Sequence, residues 1–319
     1  MATVSSLQSS FCRLRFIELI RQYSEPEARQ DFIKLLETAP MFTRSQLGLK
    51  LNRYCSNSQL FKASRYTPSG YVRPSLYVAW KSKEHRARIF KTLLRLYPQI
   101  QTNNITKTHL RTAYTMQFGY VGYFRPMIAK YIFSTYSRRG RVVDFCAGWG
   151  GRLIGALATP AVVSYVGIDS NTKMAASYTC IQKIARKGGV SKSVRILHQP
   201  AESVNFSTVG KYDCVFTSPP YFGIEKYNKM PDYQSHEDWI QRFLFTTLKS
   251  ICSSIDSDGY VCINIRQEKT EKAMVQFMKT QGWVVTKKLL MRISAMPGRG
   301  SHKSTPNYGE PIYIFKKRS

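Results

Sequence analysis

From residue 141 onward the apolar positions fall into short runs that end in turns, separated by longer segments with apolar residues at helical spacing. Runs at 142–145, 162–168, 194–197, 212–216 and 259–265 read as strands buried on both faces, the pattern of a parallel sheet. Segments 152–158, 173–187, 236–253 and 271–281 read as helices, and Gly188-Gly189 ends the second of these as a C-cap does. Strands at 284–292 and 311–316 close the chain. The alternation predicts an α/β fold, a mostly parallel sheet between layers of helices. The N-terminal third lacks it. There 11–23 reads as a first helix, 25–36 and 43–54 as a pair separated by Pro40 with Thr43 capping the second, and 86–96 as a strongly basic amphipathic helix. The pair fits either a helix-turn-helix, with 45–53 as its basic reading helix, or a plain helical subdomain. We therefore divide the chain into a basic, mainly helical extension, 1–110, and an α/β domain, 111–319.

Charge narrows the function classes. The 319 residues include 48 Lys and Arg against 19 Asp and Glu, a net charge of +29. An enzyme of small neutral substrates gains nothing from such self-repulsion, whereas a polyanionic partner offsets it. The cations are spread along the chain rather than gathered in a tail, which points to a basic face on a folded body and to nucleic acid. Between residues 62 and 83 aromatics and cations interleave (Arg65, Tyr66, Tyr71, Arg73, Tyr77, Trp80, Lys81), a pattern that suits base stacking and equally suits packing. No run of eighteen apolar residues predicts a membrane span. Cys12, Cys55, Cys146, Cys180, Cys214, Cys252 and Cys262 stand singly, without metal-ligand spacing. They read as small buried apolar residues of an intracellular protein in a reducing compartment. Residues 1–20 share some composition with a transit peptide, but the helical reading of 11–23 competes, and we infer no targeting signal.

Three turns carry the candidate chemistry. Asp144-Phe145-Cys146-Ala147-Gly148-Trp149-Gly150-Gly151 follows the first strand and opens a helix. Its glycines let backbone approach a ligand closely, and Asp144 would repel a phosphate but accept from an amine-bearing ligand. The run is neither a P-loop nor the dinucleotide fingerprint. Asp169, at the end of the second strand, is placed to accept both hydroxyls of a ribose. Taken singly, the two acids fit a turn former and a helix cap. The third turn is Ser218-Pro219-Pro220-Tyr221. Two prolines fix φ twice and remove two N–H donors, so the strand stops in a stiff turn that presents a hydroxyl, free carbonyls and an aromatic face. Such a turn suits a flat heterocycle whose exocyclic amine must be held.

Together these motifs resemble the S-adenosylmethionine-dependent DNA amino-methyltransferases, which modify cytosine N4 or adenine N6. The similarity spans roughly residues 120–319. Cys146 stands where that family has Phe, but the glycines align. The resemblance implies a Rossmann-like, seven-stranded methyltransferase domain, S-adenosylmethionine as cofactor and no metal. It implies cofactor contacts at Phe124 (within Tyr123-Phe124-Arg125-Pro126), Asp144, Ala147, Gly148, Gly150, Asp169 and Glu202, although Gln199-Pro200-Ala201 departs from the family pattern. Ser218, Pro219, Pro220 and Tyr221 become the catalytic turn. Ser218 Oγ and the Pro219 carbonyl would accept the two N–H bonds of the target amine while Tyr221 stacks the base, extruded from any duplex. Thr-Ser-Pro-Pro-Tyr favours cytosine N4 over adenine N6. Segment 222–235 is a candidate lid, or a surface crossover. Arg292, Arg299, His302 and Lys303 form a candidate phosphate contact, or a solvated loop. The expected partner is DNA. RNA remains open, as does a catalytically silent nucleic-acid-binding protein of the same fold.

Overall fold

The computed structural model describes residues 2–11, 14–20, 22–60, 62–63, 65–66, 72–119, 122–223, 231–292 and 309–318. Seven strands form one sheet: β1 (Arg141–Asp144), β2 (Ser164–Ile168), β3 (Ser193–Leu197), β4 (Cys214–Thr217), β5 (Tyr260–Asn264), β6 (Trp283–Arg292) and β7 (Gly309–Lys317). All lie within two residues of the runs read from the sequence. Their order is β3-β2-β1-β4-β5-β7-β6, parallel except for β7, which runs antiparallel to both neighbours. The expected seven-stranded, Rossmann-like methyltransferase architecture is therefore present. A two-residue ribbon pairs Arg65–Tyr66 with Val72–Arg73 outside this sheet.

Strand side chains alternate between two cores, as the pleat requires. Val142, Cys214, Phe216, Cys262, Ile312 and Ile314 face one layer of helices. Val143, Val215, Val261, Ile263, Tyr313 and Phe315 face the other. The first layer holds α1 (Glu25–Glu37), α2 (Leu49–Leu60), α5 (Pro126–Tyr136), α6 (Gly151–Leu157) and α7 (Ala175–Lys187). The second holds α8, which runs from His236 to Cys252 with a π-helical stretch at Ile240–Phe245, and α9 (Glu268–Thr280). Two further helices, α3 (Lys83–Leu96) and α4 (Lys107–Phe118), pack with residues 2–20 and 76–80 around a third, separate core.

The packing divides the N-terminal third differently from the sequence pattern. Residues 25–60 belong to the core of the sheet, where Phe32, Leu35 and Leu51 meet Met127, Ile154 and Ile181. Of the helix expected over 11–23, the described residues place only Phe16–Leu19 in a helix of its own, and a separate helix, Val4–Phe11, ends where the expected one begins. The second helix of the early pair begins at Leu49, not at 43. Its N-terminus is capped from a distance by Asp31 on α1, whose Oδ2 accepts from the Lys50 and Leu51 amides at 2.7 and 3.3 Å. Leu49, Leu51, Asn52, Ser56, Asn57 and Leu60 of α2 are buried, and of the expected reading helix at 45–53 only the part from Leu49 onward is helical. Within 62–83, Trp80 is a core residue that donates to the Leu14 carbonyl at 2.7 Å, whereas Lys81 Nζ sits 4.3 Å from the centre of the Tyr77 ring. Two cysteines read as unpaired are joined: Cys55 on α2 and Cys180 on α7 form a disulfide across 125 residues, with Cα atoms 5.6 Å apart. Among the described residues no helix is long and apolar enough to cross a membrane.

Candidate active site

The sheet order reverses between β1 and β4, because β2 and β3 follow β1 outward on one side and β5 follows β4 on the other. In open α/β sheets the crevice beyond the strand ends at such a reversal is the ligand site. The register places the sequence motifs around it. Asp144 pairs with Gly167 across β1–β2, and Val143 pairs with Val215 across β1–β4. The glycine loop, Asp169 and the Ser218 turn therefore leave three adjacent strands at their carboxyl ends.

The loop is pinned from several sides. Gly150, at φ +86°, caps α6, and a Cβ there would come within 2.5 Å of Ile181 Cδ1. A Cβ at Gly151 would fall on the Phe124 carbonyl. Ala147 donates its amide to the Ile168 carbonyl at 2.9 Å. The Gly148 carbonyl accepts from Tyr178 at 2.6 Å. Asn52, fully buried on α2, satisfies both neighbours when its amide is assigned with nitrogen toward the Trp149 carbonyl, 2.5 Å away, and oxygen toward the Gly151 amide, 3.2 Å away. The Cys55–Cys180 bond joins the two helices that supply Asn52 and Tyr178.

The two acids, similar in sequence, occupy different environments. Asp144 is completely buried. Its Oδ2 accepts from Arg152 Nε and the Tyr165 hydroxyl, both at 2.8 Å, and its Oδ1 from the Cys146 amide at 3.3 Å. Arg152 also donates to the Cys146 carbonyl, and its guanidinium lies 5.1 Å from the Phe124 ring centre. Asp144, read from the sequence as an acceptor for a ligand amine, is thus a buried carboxylate whose charge is met inside the protein by Arg152 and Tyr165. Asp169 remains at the surface of the crevice. Its Oδ2 accepts from the Gly148 amide at 2.7 Å and its Oδ1 from the Asn171 amide at 2.8 Å. Burial raises its pKa to about 6, against the pull of those two amides.

The Ser218–Tyr221 turn is fixed at both ends by side-chain amides, Asn264 at the end of β5 and Gln267 just beyond it. Ser218 Oγ donates to Asn264 Oδ1 at 3.1 Å, and Asn264 Nδ2 donates to the Pro311 carbonyl at 3.0 Å. Gln267 brackets Phe222, accepting from its amide at 3.1 Å and donating to its carbonyl at 2.9 Å. Phe222 stacks on His236 with ring centres 5.0 Å apart. Tyr221 packs beside the core that holds Phe145, Trp239 and Phe243. Phe124 meets Phe216 edge-on at 5.4 Å, so the Tyr123-Phe124 motif touches the strand that ends in the turn. Glu202 lies in a 3-10 turn after β3 and accepts from the Tyr233 hydroxyl. Of the candidate lid, Phe222 and Tyr233 are thus placed, while 224–230 fall outside the described residues, as do Arg299, His302 and Lys303. Arg292, at the end of β6, accepts through its carbonyl from Arg125 at 3.0 Å. Sequence reasoning missed Asn52, Arg152, Asn264 and Gln267. Only Asn264 left a signal, as a lone amide within an apolar run.

Residues 212–319 match the N6/N4 DNA methylase family, which takes in β4 to β7 and the Ser218–Tyr221 turn. No curated protein sequence matches the chain. Among solved structures it is similar to a Listeria monocytogenes protein assigned to the class I S-adenosylmethionine-dependent methyltransferases: 13% identity, 92% of this chain, 88% of that one, TM-score 0.46. It is also similar to TrmN from Thermus thermophilus: 15% identity, 60% of this chain, 49% of that one, TM-score 0.41. A third is a Pyrococcus horikoshii protein assigned as an RNA methyltransferase: 17% identity, 61% of this chain, 84% of that one, TM-score 0.41. The chain spans about half the length of the Thermus protein. The sheet order and the family match are those of S-adenosylmethionine-dependent methyltransferases. The loop fits that cofactor. Gly148, at φ +55°, would set a Cβ against only the Cys146 carbonyl, 3.7 Å away, so this one glycine faces open space while Gly150 and Gly151 are packed.

Proposed function

We propose that the chain transfers a methyl group from S-adenosylmethionine to the exocyclic amine of a base in DNA, cytosine N4 in preference to adenine N6. The observation that carries this reading is the Ser218–Tyr221 turn at the β1/β4 reversal, inside the region matched by the DNA methylase family. When bound, S-adenosylmethionine supplies an electrophilic methyl group on its sulfonium. Asp169 would accept from the ribose hydroxyls, with Phe124, Ala147, Gly148 and Gly150 lining the cofactor and Glu202 on the adenine side. An exocyclic amine is a poor nucleophile because its lone pair is delocalised into the ring. Ser218 Oγ and the Pro219 carbonyl would accept its two N–H bonds, localising the lone pair on nitrogen. Tyr221 would stack the flipped base and hold it at reacting distance, where orientation carries much of the acceleration. Between Lys62 and Arg111 the only acid is Glu84. The exposed Arg88, Lys91 and Arg95 of α3 extend this basic surface toward phosphates.

The test is methyl transfer from labelled S-adenosylmethionine to unmethylated duplex DNA and to total RNA, followed by nucleoside digestion and mass analysis. N4-methylcytosine in DNA is the expected product. N6-methyladenine would change the base. Label in RNA alone would overturn the substrate, and no label in either would overturn the activity.

A further inference from the structure

We propose that Asn264 sets the direction of the Ser218 hydroxyl and thereby makes Ser218 an obligate acceptor for the target amine. This role rests on the amino-methyltransferase reading above. A serine hydroxyl is ambiguous, able to donate its proton or to accept one, whereas an ionised aspartate at the same place only accepts. The Ser218 turn would therefore be poorly matched to an amine unless something removed the ambiguity. Asn264 removes it. The amide is buried, 1% exposed, at the carboxyl end of β5. Its orientation is dictated from the far side by the Pro311 carbonyl, which accepts from Asn264 Nδ2 at 3.0 Å and from the Ile265 amide at 3.2 Å. Turned the other way, the amide oxygen would face that carbonyl, acceptor against acceptor. Asn264 Oδ1 is consequently fixed toward Ser218, 3.1 Å away, and offers only lone pairs. Ser218 must give its proton to Asn264, and both of its own lone pairs then face outward. A hydroxyl held in this way pairs with an N–H and repels a ring carbonyl. The pairing of β5 with β7, Asn264 opposite Ile312, is what brings Pro311 within reach. The closing hairpin thus acts on the catalytic turn through one side chain, and Asn264 is a positioning residue.

Asn264→Ala leaves Ser218 in place but frees its hydroxyl to rotate. Asn264→Asp, kept protonated by burial beside the Pro311 carbonyl, donates there with its O–H and keeps an oxygen acceptor facing Ser218. Single-turnover and steady-state methyl transfer should show kcat reduced about tenfold or more in Asn264→Ala, with the cofactor Kd unchanged. Asn264→Asp should stay within about threefold of wild type. Equal kcat in wild type and Asn264→Ala would overturn the role. So would an Asn264→Asp variant as slow as Asn264→Ala, or a loss of cofactor binding in step with kcat, since either would make the residue a structural support. Wild-type protein that transfers no methyl to DNA or RNA would refute the function itself, an outcome separate from these.

Discussion

Lowering the pH from 7 to 5 should weaken cofactor binding about tenfold, and through one group, Asp169. Burial raises its pKa to about 6. The carboxylate is then about nine-tenths ionised at pH 7 and about one-tenth at pH 5. The Gly148 and Asn171 amides, at 2.7 and 2.8 Å, each occupy one oxygen, and only the ionised group has lone pairs left on both for a pair of ribose hydroxyls. Most of that rise falls below pH 6, about fivefold between pH 6 and 5. Stability of the cofactor-free chain runs in the opposite sense. The folded pKa exceeds the ordinary value of 3.8, so between those two values the folded chain holds the extra proton. The contribution to stability is fully present below pH 4 and is lost as the pH rises through 6, an effect of about 3 kcal/mol for two units. Isothermal titration with S-adenosylmethionine between pH 5 and 7.5 reads the first effect, and thermal melts over the same range read the second. Asp169→Asn should bind weakly with no slope. A level Kd in the wild type, or an unchanged slope in Asp169→Asn, would refute the reasoning.

Five further outcomes are expected. Arg152→Met leaves the Asp144 carboxylate buried without its cation, at 0% side-chain exposure, and should lower stability by about 3–5 kcal/mol in denaturant melts; adding Asp144→Asn should recover much of it, and a double variant no better than the single would remove the ion pair as the cause. Tyr221→Ala should reduce kcat about tenfold to a hundredfold through lost stacking while the cofactor Kd holds; a large rise in that Kd would contradict the role. Asn52→Ala should raise the cofactor Kd about fivefold by releasing the loop at Trp149 and Gly151, and reduction of Cys55–Cys180 should lower the melting temperature of wild type but not of Cys55→Ser; equal responses would show that the bond does not hold these helices. With a net charge of +29, log affinity for DNA should fall steeply with log salt, and a flat response would assign the basic surface to another purpose.

The strands of the sheet were legible because each is a local apolar run whose meaning does not depend on distant residues. The three motif turns were legible because glycine, proline and the acids act through backbone geometry at the position where they stand. What the sequence hid are the polar side chains that reach across the fold. Asp31 caps a helix nineteen residues away, Asn52 braces a loop almost a hundred residues downstream, and Asn264 serves a serine forty-six residues upstream. None of these pairings has a spacing rule, since each depends on which helices and strands become neighbours. Cys55 and Cys180 were hidden for the same reason.

Asp144 and Asp169 make the distinction concrete. Both are single acids at the carboxyl ends of adjacent strands, and composition and position assign them the same capacity to accept from a ligand. Their difference lies in Arg152, in the first turn of α6, which turns back beneath the loop and meets Asp144 at 2.8 Å. Asp144 becomes the buried partner of a cation. Asp169 has backbone amides in place of a cation, and its carboxylate stays poised near neutral pH at the crevice. The loop is therefore held from beneath by Asp144 and Arg152, and from the flanks by Tyr178 and Asn52. Because Asn52 comes from residues 25–60, that part of the N-terminal third packs with the glycine loop, and its helices cannot be exchanged without re-forming the loop they brace.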